Sequence, residues 1–216
     1  DALRDRARNG AGTCVGTPVP PNYVAIMRLM DEAADVLHQE DLLSPGETGE
    51  IIVSGPTTTQ AYWRREEQTR LAKTRDDSGR LWHRMGDVGY FDEAGRLWYC
   101  GRKSQRVETP DGPLFADQVE AMFNDVDGVE RTALVGVSDP TTPPPMKEPV
   151  LCIERRAGSQ HGEAEVAQAV LDRARGFPQL ARLRRVLFHP GFPVDIRHNA
   201  KIGREALAAW AQEKVE

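Results

Sequence analysis

Short apolar runs recur through the first hundred positions, and Gly, Pro and Asp separate them. Four runs have this form: YVAIMRLM (23–30), GEIIVSG (49–55), RLWHRMGDVGYFD (80–92) and RLWYCGR (96–102). Turn-forming segments such as SPGETG and DEAG stand between them. The pattern predicts antiparallel strands in a small sheet or barrel. Residues 1–12 have no matching partner, and we expect an irregular beginning there.

The pattern changes after Arg102. Apolar residues on one side of the segment from Asp117 to Asn124 predict a helix that Asp117 caps, and four-residue spacing predicts a second helix over 163–175. Three apolar runs predict buried or partly buried strands: RTALVGV (131–137), PVLCIE (149–154) and RRVLFH (184–189). The loop SDPTTPPPMKE between the first two carries four prolines, which predict a stiff, exposed connection without regular pairing.

Together these patterns predict an α+β fold with two parts. A small antiparallel β part occupies residues 1–101, and a separate α+β part with a short sheet flanked by helices occupies residues 107–216. The boundary segment, 102–106, is charged, follows a glycine and contains no proline. A passive linker is usually longer or richer in Pro, Ser and Gly. A short articulated joint is therefore the sharper hypothesis, with an ordinary short linker as the alternative.

Composition and charge exclude several classes of function. Hydrophobic residues make up 39% and charged residues 28% of the 216 residues, which is typical of a globular protein. The net charge of −5 gives no electrostatic support for nucleic-acid binding. Basic clusters such as Arg182, Arg184 and Arg185 are interpreted as a solvated face. No apolar run approaches the roughly 18 residues that a membrane span needs, and the charged N-terminus has no signal-peptide pattern.

Cysteine and histidine usage predicts neither disulfides nor a metal site. The three cysteines lack CxxC spacing, and two of them, Cys100 and Cys152, lie in apolar runs. We therefore expect buried, reduced thiols, which suit a cytoplasmic location. The five histidines are too dispersed along the chain to form a protein-held zinc site.

Two candidate binding residues follow glycines at strand ends. Asp87 follows Gly86, and its carboxylate at a strand edge can accept two hydrogen bonds from vicinal hydroxyls such as those of a ribose. The alternative is that Asp87 only satisfies turn amides. Arg102 follows Gly101, and its guanidinium can contact a hydroxyl or a phosphate. Its alternative is a surface ion pair.

A third candidate, Lys201, stands in FPVDIRHNAKIGREALAAW (192–210). An ammonium there can stabilise negative charge that develops in a transition state. Ile202, Ala206 and Trp210 recur at four-residue spacing behind it and predict a terminal helix that fixes the direction of the lysine. The alternative is an ordinary surface lysine near a helix start.

Four segments, in order along nearly the whole chain, resemble motifs of the adenylate-forming superfamily, which includes acyl-CoA synthetases, nonribosomal peptide adenylation domains and luciferases. They are GETGEIIVSGPTTTQAYWRREEQT, HRMGDVGYFDEAGRLWYCGRK, VERTALVGVSD and PVDIRHNAKIGREAL. The resemblance implies that residues 1–101 form the last β subdomain of a large N-terminal domain. It further implies a hinge over 102–106 and a C-terminal lid domain over 107–216.

The resemblance also assigns roles to the candidate residues. Asp87 corresponds to the residue that binds the ribose hydroxyls of ATP or AMP, and Arg102 to the arginine near the hinge that contacts the nucleotide. Ser104 takes the hinge position, about which the lid rotates between two catalytic steps. Lys201 corresponds to the catalytic lysine that bridges the acyl carboxylate and the nucleotide. The implied cofactors are ATP and the Mg²⁺ bound with it, for which this chain offers no identified ligand.

Departures from the superfamily pattern narrow the expected product. The hinge is usually Asp or Lys but is Ser104 here, and a lysine usual a few residues later is replaced by Glu108. The loop VETPDGPLFADQVE, which in CoA ligases helps to form the thiol tunnel, carries Pro110 and Pro113. GRKSQRVETPDGPL and FPVDIRHNAKI resemble the β-lactone synthetases of bacterial long-chain olefin biosynthesis. In such enzymes the hydroxyl group of the substrate closes on the activated carboxylate, so no thiol is needed.

The resemblance implies the C-terminal part of a longer enzyme, because the superfamily's phosphate loop and its magnesium-binding glutamate lie upstream of these motifs. We expect the 216 residues alone to be inactive in adenylation. The implied substrate is a small acyl compound, either a long-chain β-hydroxy acid or a fatty acid, and other olefin-pathway enzymes are the implied partners. The alternatives are a fatty acyl-CoA synthetase that forms AMP and a noncatalytic module that binds adenylate or a partner.

Overall fold

The computed structural model describes residues 2–195 and 198–215, and for residues 198–200 it describes the backbone only. The chain divides into two compact units. We call residues 11–104 the β unit, and we call the described residues before position 11 together with those from 105 onward the C-terminal unit. The predicted arrangement of two domains with a hinge over 102–106 stays a prediction.

The β unit contains seven strands and one helix. The strands are β1 (Thr13–Gly16), β2 (Tyr23–Met27), β3 (Val36–Leu37), β4 (Gly49–Ser54), β5 (Lys73–Asp76), β6 (Leu81–Phe91) and β7 (Leu97–Arg102). They form one sheet in which β1, β7, β6, β4 and β2 follow in order with antiparallel pairing. Strand β5 pairs with β6 and, in parallel, with β3. All four strands predicted from the apolar runs are present, because buried Ile, Val and Trp side chains hold them on a common core.

Two hairpin turns of the β unit have the same sequence pattern and the same hydrogen bonds. DDSGRLW (76–82) joins β5 to β6, and DEAGRLW (92–98) joins β6 to β7. In each turn the first aspartate accepts backbone N–H groups two and four residues later, and a glycine takes a positive φ. Each aspartate also accepts an indole N–H at 2.9 Å, from Trp82 to Asp76 and from Trp98 to Asp92. The repeated turn therefore fixes the register of the long central strand β6 at both of its ends.

Among its described residues, the C-terminal unit contains the remaining strands and four α-helices. The strands are β8 (Val107–Thr109), β9 (Gly112–Leu114), β10 (Val129–Val137), β11 (Glu148–Arg155), β12 (Arg185–Phe188), β13 (Val194–Asp195) and β14 (His198–Ile202). The helices are α1 (Ala2–Arg6), α3 (Ala116–Ala121), α4 (Glu163–Ala174) and α5 (Arg204–Val215), while α2 (Glu66–Ala72) belongs to the β unit. The predicted α+β class is confirmed.

A three-stranded sheet with a core on each face organises the C-terminal unit. Strand β11 pairs antiparallel with β10 and parallel with β12. Successive residues of β11 alternate between the two cores, since Leu151 and Ile153 pack with α3 and α4 whereas Val150 and Cys152 pack with α5. Because both faces are covered, the strand appears in the sequence as a continuous apolar run.

Two predictions of local structure differ from the observed elements. The helix predicted from Asp117 to Asn124 begins one residue earlier and ends at Ala121. Phe115 is at its N-cap position, and Asp117 lies in the first turn. The N-terminal segment, expected to be irregular, forms α1, and its Arg8 pairs with Asp125 (Nε to Oδ2, 3.1 Å) in the C-terminal unit. The apolar pattern carried no signal for this segment, since α1 has no buried residue.

The predicted prolyl connection and buried thiols are confirmed. Residues 138–147 between β10 and β11 form no strand and are largely exposed. Cys100 and Cys152 are buried and free, whereas Cys14 is partly exposed. Burial raises the pKa of the Cys152 thiol to about 12, which makes it inert as a nucleophile. Within the described part of the chain, no helix combines the length and the apolar character that crossing a bilayer requires.

Candidate active site

A bulge in β6 shapes the first part of the candidate site. Glu50 and Ile52 of β4 pair with Val88 and Arg84 of β6, so between these pairs the single residue 51 of β4 lies opposite the three residues 85–87 of β6. Gly86 lies in the bulged segment with a φ of 67°, a left-handed conformation that glycine adopts without the strain of a Cβ atom. Bulges of this kind redirect the side chain that follows them. The bulge therefore sets the direction of the residue after Gly86.

Asp87 and Arg102 come together directly after this bulge. They are register partners across β6 and β7, and Nη1 of Arg102 lies 3.1 Å from Oδ1 of Asp87. The same Nη1 donates to the backbone carbonyl of Met85 at 3.2 Å. The Arg102 side chain is 53% exposed and that of Asp87 is 20% exposed. The pair thus presents a hydrogen-bond acceptor and a cationic donor side by side at a strand end, where a ligand with hydroxyl and phosphate groups can bind both.

Ser104, the predicted hinge residue, is exposed in a short 3₁₀ turn over Lys103–Gln105. The lysine before it is firmly held in the β unit. Its Nζ lies 2.8 Å from Oε2 of Glu50 and donates to the carbonyl of Met30 at 2.9 Å. Glu50 is buried, and its Oε2 also accepts from Arg84 Nη2 at 2.7 Å. The residue directly before Ser104 in the predicted hinge segment is therefore anchored to the β unit.

Lys201 lies on β14 of the C-terminal unit and its side chain is exposed. Ile202 pairs with Val194 in the two-stranded sheet of β13 and β14. The N–H of Gly203 donates to the carbonyl of Pro193 at 2.7 Å, and α5 begins at the next residue. The predicted terminal helix is present but begins three residues after Lys201. The predicted face of Ile202, Ala206 and Trp210 is wrong, because Ile202 belongs to β14 and Ala206 is exposed, whereas Leu207 and Ala211 are buried.

A buried ion pair that sequence reasoning missed lies at the start of α5. Nη1 of Arg204 lies 2.5 Å from Oε1 of Glu120, and Nη2 lies 2.9 Å from Oε2. Burial raises the pKa of the Glu120 carboxyl above its usual value, and the hydrogen bond from Arg204 opposes that shift. The arginine was visible as the last position of the lysine-bearing motif, but nothing local in the sequence identified its partner.

Of the predicted site residues, the structure brings Asp87 and Arg102 together within the β unit, and Lys201 belongs to the C-terminal unit. No group of three or more His, Cys, Asp or Glu side chains among the described residues is arranged to hold a metal ion. The described residues therefore offer no identified cluster of ligands for a metal ion held by the protein alone.

The chain is similar to two curated olefin β-lactone synthetases. It is 51% identical to that of Xanthomonas campestris over 219 residues, which cover 99% of this chain and 39% of the relative. It is also 51% identical to that of Stenotrophomonas maltophilia over 220 residues, again with 39% of the relative covered. A more distant relative, 2-succinylbenzoate–CoA ligase of Arabidopsis thaliana, is 31% identical over 129 residues, which are 59% of this chain and 21% of the ligase. No protein-family model matches the chain.

Solved structures share the fold. The amide bond synthetase McbA from Marinactinospora thermotolerans superposes with a TM-score of 0.71 at 26% identity, over 92% of this chain and 36% of that one. ATP-bound MatB from Rhodopseudomonas palustris gives a TM-score of 0.75 at 22% identity, over 94% of this chain and 36% of that one. The chain thus spans well under half the length of the proteins that it resembles.

Proposed function

The chain is homologous to the C-terminal part of enzymes of the adenylate-forming superfamily, with olefin β-lactone synthetases among its relatives, and from this premise we propose that it is the C-terminal part of an ATP-dependent acid-activating enzyme. The proposed reaction of the whole protein converts a long-chain β-hydroxy acid to a β-lactone and releases AMP and pyrophosphate. We further propose that it acts in the cytoplasm alongside other olefin-pathway enzymes.

The observation that carries this proposal is the presentation of Lys201. An exposed ammonium stands on a strand whose next residues are fixed by β pairing, by the hydrogen bond from Gly203 to Pro193 and by the start of α5. A side chain held on such a support can deliver a positive charge to a defined point, which is what stabilising charge in a transition state requires. A simple surface lysine needs no such support.

The proposed mechanism has two steps. In the first, the substrate carboxylate attacks the α-phosphorus of ATP, the bond to the β-phosphate oxygen breaks, and pyrophosphate leaves. Lys201 contacts the carboxylate and the α-phosphate and offsets their negative charge. Asp87 accepts hydrogen bonds from the ribose hydroxyls, and Arg102 donates to the nucleotide. Mg²⁺ bound with ATP would neutralise phosphate charge during this step.

In the second step the β-hydroxyl oxygen attacks the acyl carbonyl, the bond from that carbon to the AMP oxygen breaks, and the hydroxyl proton is released. The products are the β-lactone and AMP. The similarity to 2-succinylbenzoate–CoA ligase favours one alternative, a fatty acyl-CoA synthetase in which a thiol replaces the hydroxyl as the attacking group.

Replacing Lys201 with alanine in the full-length enzyme tests the proposal. We expect exchange of pyrophosphate into ATP, driven by a β-hydroxy fatty acid, to fall by about 100-fold or more, the order that loss of one preorganised charge costs. Lys214→Ala, which removes an exposed lysine of the following helix α5, is the matched control and should leave the exchange unchanged. Exchange at the wild-type rate in Lys201→Ala would refute the proposed role.

The product is tested separately by incubating the full-length enzyme with ATP and a β-hydroxy fatty acid, with and without CoA. Formation of a lactone without CoA supports the β-lactone synthetase. Strict dependence on CoA, with a thioester as the product, would favour the acyl-CoA synthetase.

A further inference from the structure

We propose that Arg204 is a positioning residue for Lys201, because it ties the start of α5 to Glu120 of α3 and to Gln105. This inference rests on the proposed role of Lys201 in adenylation. Arg204 touches neither substrate nor nucleotide in this proposal. It acts by holding the backbone that carries the lysine.

The first support is the geometry of the guanidinium group. Both of its terminal nitrogens face Glu120, with Nη1 at 2.5 Å from Oε1 and Nη2 at 2.9 Å from Oε2. The third nitrogen, Nε, donates to Oε1 of Gln105 at 3.0 Å, and Nη1 also lies 3.3 Å from the carbonyl of Leu134. A planar guanidinium group that binds both oxygens of a carboxylate fixes the relative orientation of the two groups as well as their distance. The direction of the Arg204 side chain is therefore defined.

The second support is the rigidity of the carboxylate to which Arg204 binds. The Glu120 side chain is only 11% exposed, and its Oε1 also accepts the backbone N–H of Leu134 at 2.7 Å. Leu134 belongs to β10, the strand against which α3 packs. Glu120 is thus held by a helix and a strand at once, and α5 is attached through Arg204 to the central sheet of the unit.

The third support is that the backbone between Arg204 and Lys201 is itself held in place. Only Ile202 and Gly203 separate the two residues. Ile202 is paired with Val194, and Gly203 is hydrogen-bonded to Pro193. With few free torsions between them, a displacement at the start of α5 moves the lysine backbone as well.

The contact with Gln105 links this support to the predicted hinge. Gln105 is the residue directly after Ser104, and it belongs to the same compact unit as Arg204. One guanidinium group therefore holds both Gln105, inside the predicted hinge segment, and the segment that presents Lys201. Through this contact, the backbone that carries Lys201 is held in place relative to Gln105.

Kinetics of the full-length enzyme with Arg204→Lys test the inference. Lysine keeps the charge but cannot form the two-point contact. We expect kcat for adenylation to fall by about 10- to 100-fold, since a displacement of about 1 Å has effects of that order, while KM for ATP changes little. Consumption of separately prepared acyl-AMP should stay at the wild-type rate, because that step does not use Lys201. Arg182→Lys, which alters another ion-paired arginine of the same unit, is the control and should change neither rate.

A double variant separates positioning from general stability. Once Lys201 is alanine, adding Arg204→Lys should cause no further loss of adenylation, because the lysine that it positions is gone. A further loss of similar size in the double variant, or equal losses in both steps, would show that Arg204 acts through the fold as a whole. Glu120→Gln, which keeps the shape of the side chain and removes its charge, must reproduce the selective loss if Arg204→Lys fails to fold.

The outcomes also separate this inference from the proposed function. If Lys201→Ala retains adenylation, the proposed function is wrong. If Lys201→Ala loses adenylation while Arg204→Lys and Glu120→Gln keep it, the proposed function stands and only the positioning role of Arg204 is overturned.

Discussion

Asp87 and Arg102 face each other across β6 and β7, and their side chains meet at 3.1 Å between Oδ1 and Nη1. The bulge at Gly86 and the strand end at Arg102 together create this relationship. Because the arginine is half exposed, the ion pair contributes little to stability, typically about 0–1 kcal/mol. The role proposed for the pair is to offer a ligand an oriented acceptor beside a charged donor.

Substituting Asp87 therefore separates binding from stability. In the full-length enzyme, Asp87→Ala should weaken AMP binding by about 10- to 100-fold, because a hydrogen bond to a charged group is worth about 1.5–3 kcal/mol. The melting temperature should hardly change. Isothermal titration calorimetry with AMP and a thermal melt measure the two effects, with the exposed Glu93→Ala as the control. Unchanged AMP affinity would contradict the assignment of Asp87 to the nucleotide.

Local pattern predicted the strands that carry the longer apolar runs but not the other strands, such as β3 and β13, because only a run of buried apolar residues leaves a direct trace in the sequence. The run around Leu151 and Cys152 was predicted to be a buried strand, and the structure confirms it. The two aspartate turns also repeat in the sequence, as DDSGRLW and DEAGRLW, with Asp, Gly and Trp at the same positions.

The residues that support the candidate site could not be predicted in the same way. The Lys103–Glu50 contact joins positions 53 apart in sequence, and the Arg204–Glu120 contact joins positions 84 apart. A charged residue in a single sequence has many possible partners, and hydrophobic periodicity does not choose among them. Such buried pairs become visible only when the fold brings their elements together. The bulge before Asp87 was missed for a related reason, since it depends on the register between β4 and β6.

Glu50 should be the most sensitive charged position of the β unit. It and Arg84 are each 1% exposed, and Lys103 shares the same carboxylate oxygen. Glu50→Ala leaves buried positive charge without its counter-ion, which costs about 3–5 kcal/mol. Urea denaturation should show this loss in the free energy of unfolding, whereas the exposed Glu47→Ala should change it by less than about 1 kcal/mol. A loss for Glu50→Ala no larger than that of the control would mean that the pair is not held as described.

Asp76 should make the thermal stability of the protein depend on pH. Side-chain hydrogen bonds from Ser78 and Trp82 lower the pKa of its carboxyl to about 2. Since this pKa is lower in the folded state than in the unfolded chain, the ionised form stabilises the fold at neutral pH, and this contribution is lost as the pH falls towards 2. Asp76→Asn should therefore lower the melting temperature at pH 7. The difference from wild type should stay constant down to about pH 5 and shrink below it.

Melting curves of both proteins between pH 2 and pH 7 test this expectation. Asp77→Asn, at the exposed neighbouring position, provides the control and should give nearly the same melting temperature as wild type throughout. A difference between Asp76→Asn and wild type that persists unchanged at pH 2 would show that the carboxylate charge is not the stabilising feature.

Ser104 lies between two anchored residues, and this makes its backbone the natural place for rotation. Lys103 is held to Glu50 in the β unit, and Gln105 is held to Arg204 in the C-terminal unit. Proline at position 104 would fix φ near −65° and remove much of the rotational freedom that remains between the two anchors.

If the enzyme rotates about this residue between its two steps, Ser104→Pro should keep one step near the wild-type rate and slow the other by about 100-fold. Ser104→Ala, which leaves the backbone free, should keep both. Pyrophosphate exchange and consumption of acyl-AMP measure the two steps independently, and wild-type rates for both in Ser104→Pro would exclude Ser104 as the hinge.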